Sequence, residues 1–221
     1  SVNEPILNKK ENDVDVLGDE TKVVATGYGR IAVDFADYVI TEITCHARGG
    51  RELAGGDCTV IDVGGQDTKV ILIENGMVQD FLMNDKCSAG TGKFLEIMAN
   101  RLGVTLQELF DLAEKGTVLP ISSLCTVFAE SEVINYIGEG RSREDIAAGV
   151  VDSVVTKVAQ LAMRKAMTDR VILTGGLSHS AYFTRRLSEQ IGKNVESTAD
   201  GRYAGALGAA ILAEEKSRRG R

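Results

Sequence analysis

The chain has 221 residues, 43% of them hydrophobic and 26% charged, with a net charge of −7: the profile of a soluble globular protein forming one large domain or two small lobes. The acidic balance argues against a nucleic-acid-binding or anionic-membrane surface, no apolar run reaches membrane-spanning length, and the polar start SVNEPILNKKENDVDVLGDE does not read as a signal peptide. Four cysteines are too few for a disulfide framework and point to a reducing cytoplasm.

Residues 1–22 carry little hydrophobic pattern and are expected to pack poorly. TKVVATGYGR reads as a short strand entering a glycine turn, and residues 31–54, including ITEITCHARGGREL, read as helical. CTVIDVGG, DTKVILIENG and MVQDFLMN then predict three strands of a meander, with Asn75-Gly76 as a hairpin signal. GKFLEIMANRLG and TLQELFDLAEKG are amphipathic helices closed by glycine, followed by a helix opening at Cys125 and ending at Gly138. A long helix over 143–167 carries the apolar stripe Val150, Val154, Val158 and Leu161. RVILTGG predicts a buried strand, SAYFTRRLSEQIG a helix, VEST a short strand and AGALGAAILAEE a closing helix. Strands alternating with helices after an antiparallel meander give a mixed α/β domain.

The chemistry concentrates in a few places. Cys87 and Cys125 each sit at an expected helix start, where free amides and the helix dipole favour a thiolate. An iron–sulfur cluster usually takes four thiolates, and a symmetric dimer would supply four from two identical patches. In VIDVGGQDTKV, a buried strand delivers Asp62 to a Gly64-Gly65 turn whose amides can approach a phosphate. Asp62 and Asp67 could hold Mg²⁺ through water and Gln66 could orient an attacking water; a plain polar hairpin is the alternative. LTGGLSHS is a second strand-to-glycine junction, suited to a ribose or adenine or simply to close packing. SAGTGKF is a third, a natural anion site if it opens a helix. P-loop and Rossmann patterns are absent, and so is C-x-x-C. Cys58 reads as a buried apolar residue, Cys45 and His46 are too close in sequence to share a helix face, and neither histidine has a general-base setting.

VATGYGR, EITCHARG, VIDVGGQDTKV, MNDKCSAGTGKFLE, CTVFAESEVI, ILTGG and GALGAAILA occur in this order over residues 23–215, and the set closely resembles the activator components of 2-hydroxyacyl-CoA dehydratases, a family that includes the ATPase subunits of benzoyl-CoA reductase. The resemblance implies an actin/Hsp70/sugar-kinase-like (ribonuclease H-like) ATPase fold, with residues 1–22 a tail or remnant of the first lobe, 23–57 the rest of that lobe and 58–221 the second. It implies a cytoplasmic homodimer with one 4Fe-4S cluster between subunits, held by Cys87 and Cys125 of each chain. It implies ATP/ADP with Mg²⁺ at Asp62, Gly64, Gly65, Gln66, Asp67 and Lys69, with Gly90 and Gly92 facing the nucleotide and Thr174, Gly175 and Gly176 on the adenosine side. The implied partners are a ferredoxin or flavodoxin as electron donor and a dehydratase, which receives one low-potential electron. The family's opening G-x-D-x-G-S phosphate loop has no counterpart in residues 1–22, so the chain as written is expected to hydrolyse ATP weakly or not at all. A non-catalytic iron–sulfur dimer and a small-molecule kinase of the same superfold are the alternative readings.

Overall fold

A computed structural model describes residues 22–122 and 124–219 of the chain; the expected N-terminal tail, up to residue 21, lies outside the described residues. Strands β1 (Val24–Ala25) and β2 (Tyr38–Val39) pair in parallel around a 3-10 turn at Tyr28–Ala32. Helix α1 covers only Glu42–Ala54, not 31–54 as the pattern suggests. The β-branched Val39 is drawn into the strand pair, and Thr41 caps the helix by accepting the Thr44 N–H.

The meander forms as expected: β3 (Cys58–Val63), β4 (Thr68–Glu74) and β5 (Met77–Asn84) are antiparallel neighbours. Asn75 and Gly76 both take positive φ, 53° and 73°, giving the primed turn that matches strand twist. Strands β6 (Val171–Thr174) and β7 (Val195–Ser197) extend the sheet in parallel, for an order β5-β4-β3-β6-β7. Every residue of the central strand β3 is buried, as a strand covered on both faces requires.

Helices α2 (Gly92–Leu102), α3 (Leu106–Ala113), α5 (Arg143–Ala162) and α6 (Ala181–Ile191) build the larger core on one face, around Phe94, Leu109, Val151 and Phe183. Helix α5 stops before the expected residue 167, because the next turn carries Thr168 to the sheet, where its N–H donates to Thr59 Oγ1 at 2.9 Å. Helix α4 (Thr126–Gly138) lies outside α5 and buries only Ala129 and Val133. On the other face, α1 packs Ala47 and Ala54 onto Val60, Ile71, Ile73 and Ile172, so the boundary expected at residue 57 passes through a packed layer. Helix α7 (Ala204–Arg219) covers α1 in turn.

The crossing of α1 and α7 depends on glycine. A Cβ at Gly49 would lie 1.9 Å from the Ala204 carbonyl oxygen, and one at Gly208 would lie 1.8 Å from that of Cys45. Gly49→Ala and Gly208→Ala are each expected to force the helices apart and cost about 1–3 kcal/mol, read as a lower urea midpoint. Gly56→Ala, with nothing within 4 Å of the added methyl, should leave the midpoint nearly unchanged.

Candidate functional site

A cleft of about 720 Å³ opens at the C-terminal ends of β3 and β6, the end of an α/β sheet where ligands bind. Of the residues expected from sequence, Asp62, Gly64, Gly65, Gln66, Asp67, Lys69, Gly175 and Gly176 line it together. The Gly64–Asp67 turn is closed by the Gly64 N–H donating to the Asp67 carbonyl at 2.9 Å. The amides of Gly65 and Gln66 find no acceptor among the described residues, and the exposed Gln66 side chain has no partner there either. These are the groups a phosphate and an attacking water would use.

Three expected residues lie elsewhere. Gly92 sits behind the turn: its N–H donates to Gly64 O and that of Lys93 to Gly65 O, both at 2.9 Å. The first amides of α2 are therefore spent holding the turn, and SAGTGKF is a strut rather than an anion site. Thr174 is buried, with its hydroxyl donating to Asp62 Oδ1 at 2.9 Å, so it positions that carboxylate instead of facing an adenosine. Gly90, at φ 87°, lines a different cavity beyond β4.

The floor of the cleft is an ion cluster. Lys69 is 1% exposed, and its Nζ lies 2.6 Å from Asp67 Oδ1, 3.1 Å from Glu42 Oε1 and 3.5 Å from Asp62 Oδ2. Burial works against its charge, but these carboxylates outweigh burial and raise its pKa above the ordinary lysine value. Burial likewise opposes ionisation of Asp62, and His46, Lys69 and Thr174 hold its pKa below the usual carboxylate value. Tyr28 closes the set, its hydroxyl donating to Asp67 Oδ2 at 3.1 Å.

His46, set aside in the sequence, belongs to this cluster. Its Nε2 lies 3.5 Å from Glu42 Oε1 and its Nδ1 3.3 Å from Asp62 Oδ1, the latter an ion contact without hydrogen-bond alignment. Burial lowers its pKa, but Asp62 and Glu42 more than reverse this and raise it to about 9. The ring is a counter-charge at neutral pH, not a base. Tyr28, Glu42, Lys93, Glu96, Asn100 and Arg202 complete the lining unforeseen. The i,i+4 spacing of Glu42 and His46 was the one available signal.

The cysteines sort into two kinds. Cys45 and Cys58 are buried, and burial raises both thiol pKa values, that of Cys58 to about 11. Cys87 and Cys125 are half-buried. Cys125 is the N-cap of α4. Cys87 is not at a helix start: α2 begins after its own cap, Thr91, and Cys87 precedes that cap by a turn containing Gly90. The two loops nevertheless meet, through a hydrogen bond of 2.8 Å between Ser88 Oγ and Thr126 Oγ1.

Residues 7–213 match the BadF/BadG/BcrA/BcrD ATPase family. The (R)-2-hydroxyglutaryl-CoA dehydratase activating ATPase of Acidaminococcus fermentans is 45% identical, over 88% of this chain and 75% of that protein. The activator of lactoyl-CoA dehydratase from Anaerotignum propionicum is 44% identical, over 91% and 78%. The structure of the 2-hydroxyisocaproyl-CoA dehydratase activator from Clostridium difficile with bound ADPNP superposes with a TM-score of 0.86 at 41% identity, covering 90% of this chain and 75% of that one. The architecture is accordingly actin-like.

Because the folded-state pKa of His46 lies above the free value of 6.5, its ion contacts stabilise the protein fully below that pH and are lost as pH rises through about 9. Over this window the urea-unfolding free energy should fall by on the order of 3 kcal/mol more in the native chain than in His46→Gln. Equal slopes in the two proteins would remove His46 from the cluster.

Proposed function

The chain belongs to the BadF/BadG/BcrA/BcrD ATPase family, and on that premise we propose that it is an ATP-dependent activator that passes a low-potential electron to a 2-hydroxyacyl-CoA dehydratase or benzoyl-CoA-reductase-like partner. The observation that carries the proposal is a continuous set of hydrogen bonds between the phosphate turn and both half-buried cysteine loops. Gly64 and Gly65 accept from Gly92 and Lys93, the capping Thr91 donates its hydroxyl to Ser88 O at 2.7 Å, and Ser88 Oγ meets Thr126 Oγ1.

In this reading a nucleotide phosphate lies against the amides of Gly65 and Gln66, and Gln66 orients the attacking water. Asp62 and Asp67, held by Lys69, His46, Thr174 and Tyr28, face the metal through water. The fit lies in the donor type: Asp62 and Asp67 bring hard carboxylate oxygens to the cleft, the ligands Mg²⁺ takes directly or through water. Gly175 and Gly176 bound the nucleoside side of the cleft.

Cys87 and Cys125 offer two half-buried thiols per chain where a cluster takes four, and the pair of a second chain would complete the set in a homodimer. The apolar side chains flanking Cys125 suit such an interface, with Leu124, Val127 and Phe128 exposed by 74%, 65% and 62%. A 4Fe-4S cluster held there would supply one-electron transfer at low potential. The donor would be a ferredoxin or flavodoxin. The free thiols suit a reducing cytoplasm, and no helix of the described residues is long and apolar enough to cross a membrane.

Anaerobic purification should give about two irons and two sulfides per chain. Cys87→Ala and Cys125→Ala should each abolish that content while ADPNP binding persists, which separates loss of the cluster from unfolding. Iron content that survives both substitutions overturns the proposal.

A further inference from the structure

A second cavity of about 320 Å³ lies under the loop that carries Cys87, on the α5 face of the sheet. It is separate from the nucleotide cleft by strand alternation: Lys69 points to the α1 side, while the adjacent Thr68 points the other way and donates its hydroxyl to Gly90 O at 2.6 Å. Met83, Val158 and Leu161 form an apolar floor, Asn84 and Gln160 add amides, and Lys157 and Arg164 add two positive charges. No carboxylate lines the cavity.

The cations are unusual in this molecule. Nearly every lysine and arginine side chain among residues 22–122 and 124–218 has a carboxylate, carbonyl or aromatic partner; the exceptions there are Lys115, Lys157 and Arg164. Two of these three line one concavity. Lys157 is half-buried and cannot swing away freely, because its stem packs on Gly90, where an added Cβ would lie 2.6 Å from Lys157 Cγ. In an acidic chain, two unpartnered cations lining one partly apolar recess form a local positive focus, and an oxyanion with an apolar body satisfies both features.

We infer that this cavity is a second ligand site, distinct from the nucleotide cleft, for a small organic anion: a carboxylate or phosphate head between Lys157 and Arg164, and a short apolar body on Met83, Val158 and Leu161. An occupant would also meet Asn84, whose amide Nδ2 donates to Cys87 O at 2.9 Å and to Ala89 O at 3.0 Å. Binding there would stiffen the cysteine loop from below.

The test is NMR of the Met83 methyl and the Arg164 Nε in the full chain, titrated with acetate, hexanoate and inorganic phosphate at constant ionic strength. Hexanoate or phosphate should give saturable shifts at both probes, with hexanoate saturating at about tenfold lower concentration than acetate if the head is a carboxylate. Arg164→Gln, at an exposed position that does not threaten folding, should weaken binding at least about fivefold, and Lys157→Gln should act likewise. Saturating ADPNP should leave the shifts in place. Whichever of hexanoate and phosphate binds tighter assigns the head group. Shifts reproduced by chloride, unchanged in Arg164→Gln, or displaced by ADPNP overturn the inference.

Discussion

The site is organised by one buried ammonium group. Lys69 gathers carboxylates from three separate places: Asp62 at the end of β3, Asp67 in the turn before β4, and Glu42 in the first turn of α1. Desolvating such a set costs nearly as much as its Coulomb attraction returns, so it is weak evidence of net stability. Its effect is on geometry. A buried lysine left without its carboxylates would cost several kcal/mol, so the fold must bring α1, the turn and the strand to one point. The glycine-lined crossing of α1 and α7 serves this convergence, and Gly205 leaves the space into which the His46 ring fits, a Cβ there lying 2.8 Å from Nε2.

From that node the structure runs outward to the thiols. The turn that would receive phosphate is held by the first amides of α2, the cap of α2 is tied to Ser88, and Ser88 reaches Thr126 beside Cys125. Spatial continuity is not itself coupling. It does mean that a displacement of the turn cannot leave α2 and the cysteine loops unaffected unless one of these short bonds breaks. The helix end is thus a mechanical joint, a use of terminal amides that satisfies them as fully as an anion would.

Much of this was legible in the residues. The meander, the buried strand ending in Thr174 and the C-terminal helices follow from alternation, glycine turns and amphipathic spacing, and the glycine turn at the strand end from Asp62-Val-Gly-Gly-Gln. What was not legible depended on long-range placement. Glu42 and His46 look like ordinary helix-surface residues until α1 docks over the strand ends. Thr174 looks like a ligand contact until the parallel register sets it opposite Asp62. Gly90 and Cys87 looked helix-proximal because S-A-G-T-G-K could cap a helix at several positions, and only the hydrogen bond of Gly92 to the turn fixes which one.

A nucleotide can shift the protein between states only through contacts that differ between them. Lys69, Asp62, His46 and Glu42 are held on elements packed into the two cores and offer little freedom. Tyr28 differs. It reaches Asp67 from a segment, residues 22–41, in which only Ala25 is buried, and it is itself largely exposed. Its single hydrogen bond to Asp67 competes directly with anything that draws that carboxylate toward a metal. Of all the groups around Lys69, Tyr28 therefore has the least burial opposing its release.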